Sequence, residues 1–153
     1  MYIKEELEKY KDKNIRLYLD MDGTIAHYEL GNANNYDLKR PLLDRINKIK
    51  EINSLFPNIT LYVLTICHEE KNILEKNEWL DKYLPEVIKD NRVIIIRNPK
   101  GNVTSAEKKR DYLNSLETTD TIILIDDDPR ILNAIRKDNK NNVILYKDSI
   151  LSD

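Results

Sequence analysis

One cysteine, three glycines and five prolines are all that 153 residues contain of these types. The single Cys67 excludes an internal disulfide and suits a reducing compartment, so a cytoplasmic location is expected. With so little glycine and proline there is no stretch fit to be a flexible linker, and residues 1–153 are read as a single domain. No apolar run approaches the roughly 20 residues of a membrane span. The opening Met1-Tyr2-Ile3-Lys4-Glu5-Glu6 lacks the apolar stretch of a signal peptide. Charge of one sign is scarce as well: 25 Lys and Arg against 27 Asp and Glu leave a net charge of -2. That balance argues against nucleic acid as a partner, since such binders carry a basic face, and a membrane is not expected either. It leaves room for small phosphate esters, nucleotides included, whose charge a metal and one or two lysines can meet.

What is present is a regular alternation. Five short apolar runs, Ile15–Leu19, Thr60–Leu64, Val93–Ile96, Thr121–Ile125 and Val143–Tyr146, are rich in β-branched and aromatic residues and too short for helices. Their lack of polar alternation predicts strands covered on both faces, as in a parallel sheet. Between them lie helical patterns. Leu42, Leu43, Ile46, Ile49, Ile52 and Leu55 recur at helical spacing, with Pro41 in the first turn and Pro57 as the stop. Ile73, Leu74, Leu80, Tyr83 and Leu84 mark a second helix ended by Pro85. Thr104 and Glu107 predict a capping box opening a third, and Asp128-Pro129 a cap for a fourth that buries Ile131, Leu132 and Ile135. The segment Glu5 to Lys13 reads as a charged helix packed on the outside. This order predicts an α/β fold, a doubly wound three-layer sandwich around a central parallel sheet of about five strands.

In such sheets ligands bind beyond the carboxyl ends of the strands. There the sequence puts Asp20-Met21-Asp22-Gly23-Thr24 after the first strand, Thr65 after the second and Asp126-Asp127-Asp128 after the fourth. Lys108 and Lys109 stand in the early turns of the third helix. Clustered carboxylates raise one another's pKa unless a cation neutralises them, and a hard divalent ion such as Mg2+ suits them. A cation held by Asp20 and Asp126 would draw in a phosphate dianion, which a carboxylate can attack. Asp22, two residues on, is placed for acid/base work, and Gly23 for a sharp turn presenting amide donors. Thr65 and a lysine would hold the remaining oxygens. Asp128 reads as a helix cap. Cys67, His68, Tyr28, Tyr36 and Trp79 read as packing or surface residues, the aromatics doubling as candidates to stack a base.

These four segments, in this order, resemble the signature of the haloacid-dehalogenase (HAD) superfamily of phosphatases. The resemblance implies Asp20 as nucleophile and metal ligand, and Asp22 as acid/base with its backbone carbonyl on Mg2+. It implies Asp126 as a metal ligand and Asp127 as a holder of metal-bound water or of the lysine. The lysine is Lys109, with the adjacent Lys108 as its alternative. Trp79 to Pro85, Lys109 to Leu113 and Leu124 to Pro129 resemble bacterial and phage 5'-(deoxy)nucleotidases. Those relatives usually carry a helical cap, for which this chain has no room between its motifs. The expectation is a capless phosphomonoesterase working through an aspartyl-phosphate on a small-molecule phosphate ester, a nucleoside monophosphate among the candidates. A flap over roughly 25–35, a macromolecular substrate or a second copy in a homo-oligomer would cover the site. Two other classes fit the same residues less well. A signalling receiver would carry its phosphorylated aspartate on the third strand, which here ends Arg97-Asn98-Pro99. A regulatory phosphate- or metal-binding protein would not need Asp20, Asp22 and Asp126 all intact.

Overall fold

The computed structural model describes residues 2–28, 35–97 and 103–152. Five strands form one all-parallel sheet in the order β3-β2-β1-β4-β5: β1 Ile15–Leu19, β2 Ile59–Cys67, β3 Arg92–Ile96, β4 Thr121–Asp126 and β5 Ile144–Lys147. The helices are α1 Tyr2–Glu8, α2 Leu43–Leu55, α3 Lys71–Tyr83, α4 Ser105–Ser115 and α5 Pro129–Lys137. The chain winds outward from β1 to β3, then returns to the other side of β1 for β4 and β5. The winding therefore reverses between β1 and β4, and a crevice opens at their carboxyl ends.

Strand periodicity sorts the core into two faces. Leu17, Leu19, Leu61, Val63, Ile123 and Ile125 pack against Ile3 and Leu7 of α1, Ile46, Ile49 and Ile52 of α2, and Trp79 and Leu80 of α3. The alternate residues Tyr18, Leu64, Ile122 and Leu124 pack against Leu113 of α4 and Ile131 and Ile135 of α5. That makes the expected doubly wound three-layer sandwich. Each aliphatic side chain fully buried this way contributes about 1.5–3 kcal/mol. Among the described residues, no helix is long and apolar enough to cross a membrane.

Several elements differ from the sequence reading, each for a local reason. β2 runs past Thr65 to Cys67 because β3 pairs only with its second half, Val63 opposite Arg92 through Cys67 opposite Ile96. Pro41 stands before α2 and not in its first turn, because Ala26 pairs with it in an isolated antiparallel bridge. The first helix begins earlier than expected and is not an outer decoration, since Ile3 and Leu7 are buried. α3 buries Asn72, Lys76, Trp79 and Leu80, while Leu74 is exposed. At α4, Thr104 accepts from the Glu107 amide at 3.1 Å, and the Glu107 carboxylate accepts from the Thr104 hydroxyl at 3.2 Å in place of a capping-box bond to the backbone. Asp128 caps α5 as expected, accepting from the Arg130 amide at 2.9 Å.

Candidate active site

Register brings the two acidic segments side by side. Leu19 pairs with Ile125, and the Asp20 amide donates to the Ile125 carbonyl at 3.0 Å, so Asp20 and Asp126 leave the sheet as neighbours. The chain then turns back on itself. The amides of Thr24, Ile25 and Ala26 all donate to the Met21 carbonyl, at 3.1, 2.9 and 3.0 Å, while the Met21 side chain is fully buried as an anchor. Gly23 completes the turn at φ +83°, a left-handed conformation that favours glycine. Arg45 of α2 braces the same turn, donating to the carbonyls of Gly23 and Thr24 at 3.1 and 3.2 Å and to Asp148 at 3.0 Å.

Lys109 enters from the α4 side and is 1% exposed. Its ammonium bridges Asp20 Oδ1 at 2.8 Å and Asp126 Oδ2 at 2.7 Å. Burial alone would lower its pKa, but the charges of Asp20 and Asp126 outweigh that and raise it. The adjacent Lys108 turns outward to the Ile96 carbonyl at 3.0 Å. Of the two lysines, Lys109 is the one in the site.

Asp20, Asp126 and Asp127 each place a carboxylate oxygen within 4.8 Å of the others. Burial pushes Asp126 above the ordinary carboxylate range, with the Asp20 charge adding and Lys109 opposing. Asp127 is likewise raised, by burial and then by its bond to Asp20 and the neighbouring charges. Three hard oxygen donors this close together are a set that a divalent cation can fit. Asp22 does not turn its carboxylate to this trio. It pairs instead with Lys39 and with Lys76 Nζ, the latter at 3.3 Å. Burial would raise its pKa, but Lys76 and Lys39 together hold it below the usual range.

Thr65, on β2, is 1% exposed and accepts from Lys76 Nζ at 2.5 Å. Lys76 also donates to the Ile66 carbonyl at 3.1 Å. Asp20, Asp22, Thr65, Lys109, Asp126 and Asp127 thus line one cleft of about 430 Å³. Cys67 and His68 lie on its wall, where burial raises the Cys67 thiol. Of the three aromatics, Tyr36 and Trp79 are buried, and Tyr28, 69% exposed, stands at the cleft. The proposed flap falls largely on residues 29–34, outside the described residues.

Lys39 and Lys76 were not legible as site residues. A signal for Lys76 existed: Lys76 lies three residues before Trp79 and four before Leu80, and Asn72 four before Lys76, which marks polar groups on a buried helix face. Lys39 follows the 3-10 turn Tyr36–Leu38 next to Arg40, and nothing in its local pattern sets it apart.

The fold and the cleft together define a doubly wound α/β domain with a lysine-braced acidic site at its switch point. No family model and no curated protein matches this chain. Solved structures do. A chain of the Pnkp1/Rnl/Hen1 RNA repair complex is 15% identical with a TM-score of 0.59, over 89% of this chain and 43% of that one. A second structure of the Pnkp1/Rnl/Hen1 complex gives 15% and 0.63, over 88% and 46%. The DsGPDH of Dunaliella salina gives 12% and 0.55, over 90% and 24%. The chain spans less than half the length of each, and at these identities the likeness is one of fold alone.

Proposed function

We propose that this chain is a cytoplasmic, Mg2+-dependent phosphomonoesterase of the HAD type, acting through an aspartyl-phosphate on Asp20. The observation that carries the reading is Lys109, buried between Asp20 and Asp126 at 2.8 and 2.7 Å, beside a trio of acids able to hold a cation. A buried lysine that only balanced charge would need one carboxylate. Asp20, Asp126 and Asp127 outnumber the one lysine between them, so a further cation would be held there, and with it the site gains affinity for a phosphate ester.

The chemistry divides among named groups. Asp20, Asp126, Asp127 and the Asp22 carbonyl would hold Mg2+, which supplies charge neutralisation for the bound phosphate. An Asp20 carboxylate oxygen attacks phosphorus, the ester P–O bond breaks, and the leaving oxygen takes a proton from the Asp22 carboxyl. Asp22, now a carboxylate, takes a proton from water as that water attacks the same phosphorus. The P–O bond to Asp20 breaks and inorganic phosphate leaves. Lys76 donates into a lone pair of the Thr65 hydroxyl, which leaves the hydroxyl proton to be donated to a phosphoryl oxygen. Lys39 and Lys76 favour ionised Asp22, so the proton for the first step enters with the ester as its monoanion, whose second pKa is about 6. Tyr28 at the cleft supports a leaving group with a planar face, a nucleoside among them.

The test is hydrolysis of p-nitrophenyl phosphate and of a panel of nucleoside 5'- and 3'-monophosphates and sugar phosphates. Turnover with Mg2+, its loss in chelator, and its abolition in Asp20→Asn are expected. Retained turnover in a folded Asp20→Asn removes Asp20 as nucleophile. A metal-loaded protein inert across the whole panel overturns the enzyme reading in favour of a binding protein.

A further inference from the structure

A smaller cavity of about 90 Å³ adjoins the main cleft, and Asp22 and His68 wall both. Tyr36, Lys39, Asn72 and Lys76 line the smaller one alone. Resting on the phosphomonoesterase reading, we propose that this cavity is a leaving-group subsite for a second anion, a phosphate or carboxylate a few bonds from the ester oxygen that Asp22 protonates.

Charge comes first. Two lysines, Lys39 and Lys76, meet one carboxylate, Asp22, at the cavity; burial lowers the Lys76 pKa, with the charges of Asp22 and Asp20 opposing. Both are buried, at 5% and 2% exposure, where water cannot neutralise them. They play different parts. Lys76 spends its three N–H groups on Thr65, Ile66 and Asp22, which is the full donor set of a charged lysine, and offers the ligand its field. Lys39 has Asp22 as its hydrogen-bond partner among the described residues, which leaves donors for an incoming oxygen.

The aromatic lining fixes where those charges sit. Lys39 and Lys76 Nζ lie 4.7 and 4.9 Å from the centroid of the Tyr36 ring, held by its face. Tyr36 is in turn fixed through its amide, which donates to Glu75 at 3.2 Å, and Glu75 accepts from Asn72 at 3.0 Å. The Tyr36 hydroxyl is buried beside Asp22, where burial and the charges of Asp22 and Asp20 raise its pKa, and it makes no well-formed hydrogen bond among the described residues. An anionic oxygen in this cavity would give that hydroxyl a well-placed acceptor.

Position selects the substrate. In-line attack by Asp20 sends the leaving group away from the nucleophile, toward Asp22. A leaving group there has the smaller cavity within reach of its next few atoms. The class of substrate is therefore a phosphate ester carrying a second acidic group close to the scissile one.

Matched pairs test this: 3-phosphoglycerate against glycerol 3-phosphate for a carboxylate, and propane-1,3-diol bisphosphate against its monophosphate for a phosphate. With Mg2+, kcat/KM is expected to favour the doubly anionic member of at least one pair by about tenfold or more, the worth of one charge-assisted hydrogen bond. Lys39→Met should collapse that ratio toward one, whatever it does to the absolute rate. Tyr36→Phe, which removes one oxygen, should reduce it, and serves if Lys39→Met does not fold. Turnover of the single-charge esters with no preference in either pair overturns the subsite and leaves the phosphatase reading standing. A preference unchanged in both variants overturns it too. If no ester is turned over, the phosphatase reading fails, and titration calorimetry of 3-phosphoglycerate and glycerol 3-phosphate into Mg2+-loaded protein decides the subsite. Tighter binding of the former, lost in Lys39→Met, keeps it; equal affinity removes it.

Discussion

Lys76 Nζ donates to Thr65 Oγ1 across 2.5 Å, joining a buried lysine of α3 to a hydroxyl on the neighbouring strand. A hydroxyl has one proton, and a donor on its lone pair decides where that proton can point. In Lys76→Met the Thr65 rotor is released and Asp22 loses one of its two cations. The expected result is a fall in kcat of about a hundred- to a thousandfold, the scale of one lost preorganised donor. A purely structural lysine would not move the pH profile. Here Asp22 should rise in pKa once Lys76 is gone, shifting the acidic limb of kcat/KM to higher pH. A limb that stays in place removes Lys76 from the mechanism.

Lys108 and Lys109 differ by one position on α4, and the helix separates them by about 100°. Lys109 is inside, between Asp20 and Asp126; Lys108 meets the Ile96 carbonyl at the surface. Substituting each singly by Met should cost Lys109→Met orders of magnitude in kcat/KM and leave Lys108→Met within a few-fold of the parent. Lys109→Met also leaves two buried carboxylates without their cation, so metal-free thermal stability should drop. Loss confined to Lys108→Met would shift the assignment by one residue.

What was legible in the sequence and what was not follow from the same physics. Strand runs such as Ile122–Ile125 announce themselves because both faces of the sheet are covered, and acids directly after them can stand only at the sheet's carboxyl edge. Asp20, Asp22, Asp126 and Asp127 were readable for that reason. Choosing Lys109 over Lys108 needed the rotation of α4 about its axis, which a short pattern fixes only to within a residue or so. Lys39, Lys76 and Tyr36 are tertiary contributions, reaching Asp22 or its surroundings from segments 14 or more residues away. Polar residues on a buried face look like surface until the face is known. Leu74, apolar yet exposed, misled in the opposite sense.

Gly23 cannot carry a side chain. A Cβ there would stand 2.7 Å from Asp127 Cγ and closer still to a carboxylate oxygen, and the +83° φ disfavours any L-residue on its own account. Gly23→Ala should destabilise the fold by about 1–3 kcal/mol, the usual cost of backbone strain of this kind. It should also displace Asp127 and weaken Mg2+ binding, which titration calorimetry reads separately from a thermal melt. A variant with unchanged stability and metal affinity would mean that the turn relaxes without cost.

Metal and pH should act on stability with opposite signs. Asp126 and Asp127 have folded pKa values above the ordinary value near 4, so between that value and their raised ones the folded chain holds more protons than the unfolded. Stability of the metal-free protein then falls as pH rises, because folding opposes ionisation of these two acids. Asp22 and Lys76 work the other way: the lowered pKa of Asp22 places its contribution below the ordinary carboxylate range, and Lys76, lowered by burial, adds stability toward the alkaline side, as pH rises to the ordinary lysine value. Lys109, raised, loses its contribution only above the ordinary lysine value of about 10.4. In chelator, the Tm should accordingly be lower at about pH 8 than at about pH 5. Mg2+ binds the ionised acids of the folded chain and stabilises it by about 2.7 kcal/mol at a hundred times its Kd, worth several degrees for a domain of this size. That gain is larger at the higher pH, where fewer protons compete, so the gap between the two melts should narrow or invert. A metal-free Tm that rises across this range, with no response to Mg2+ at either end, would dissolve the acidic trio as a cation site.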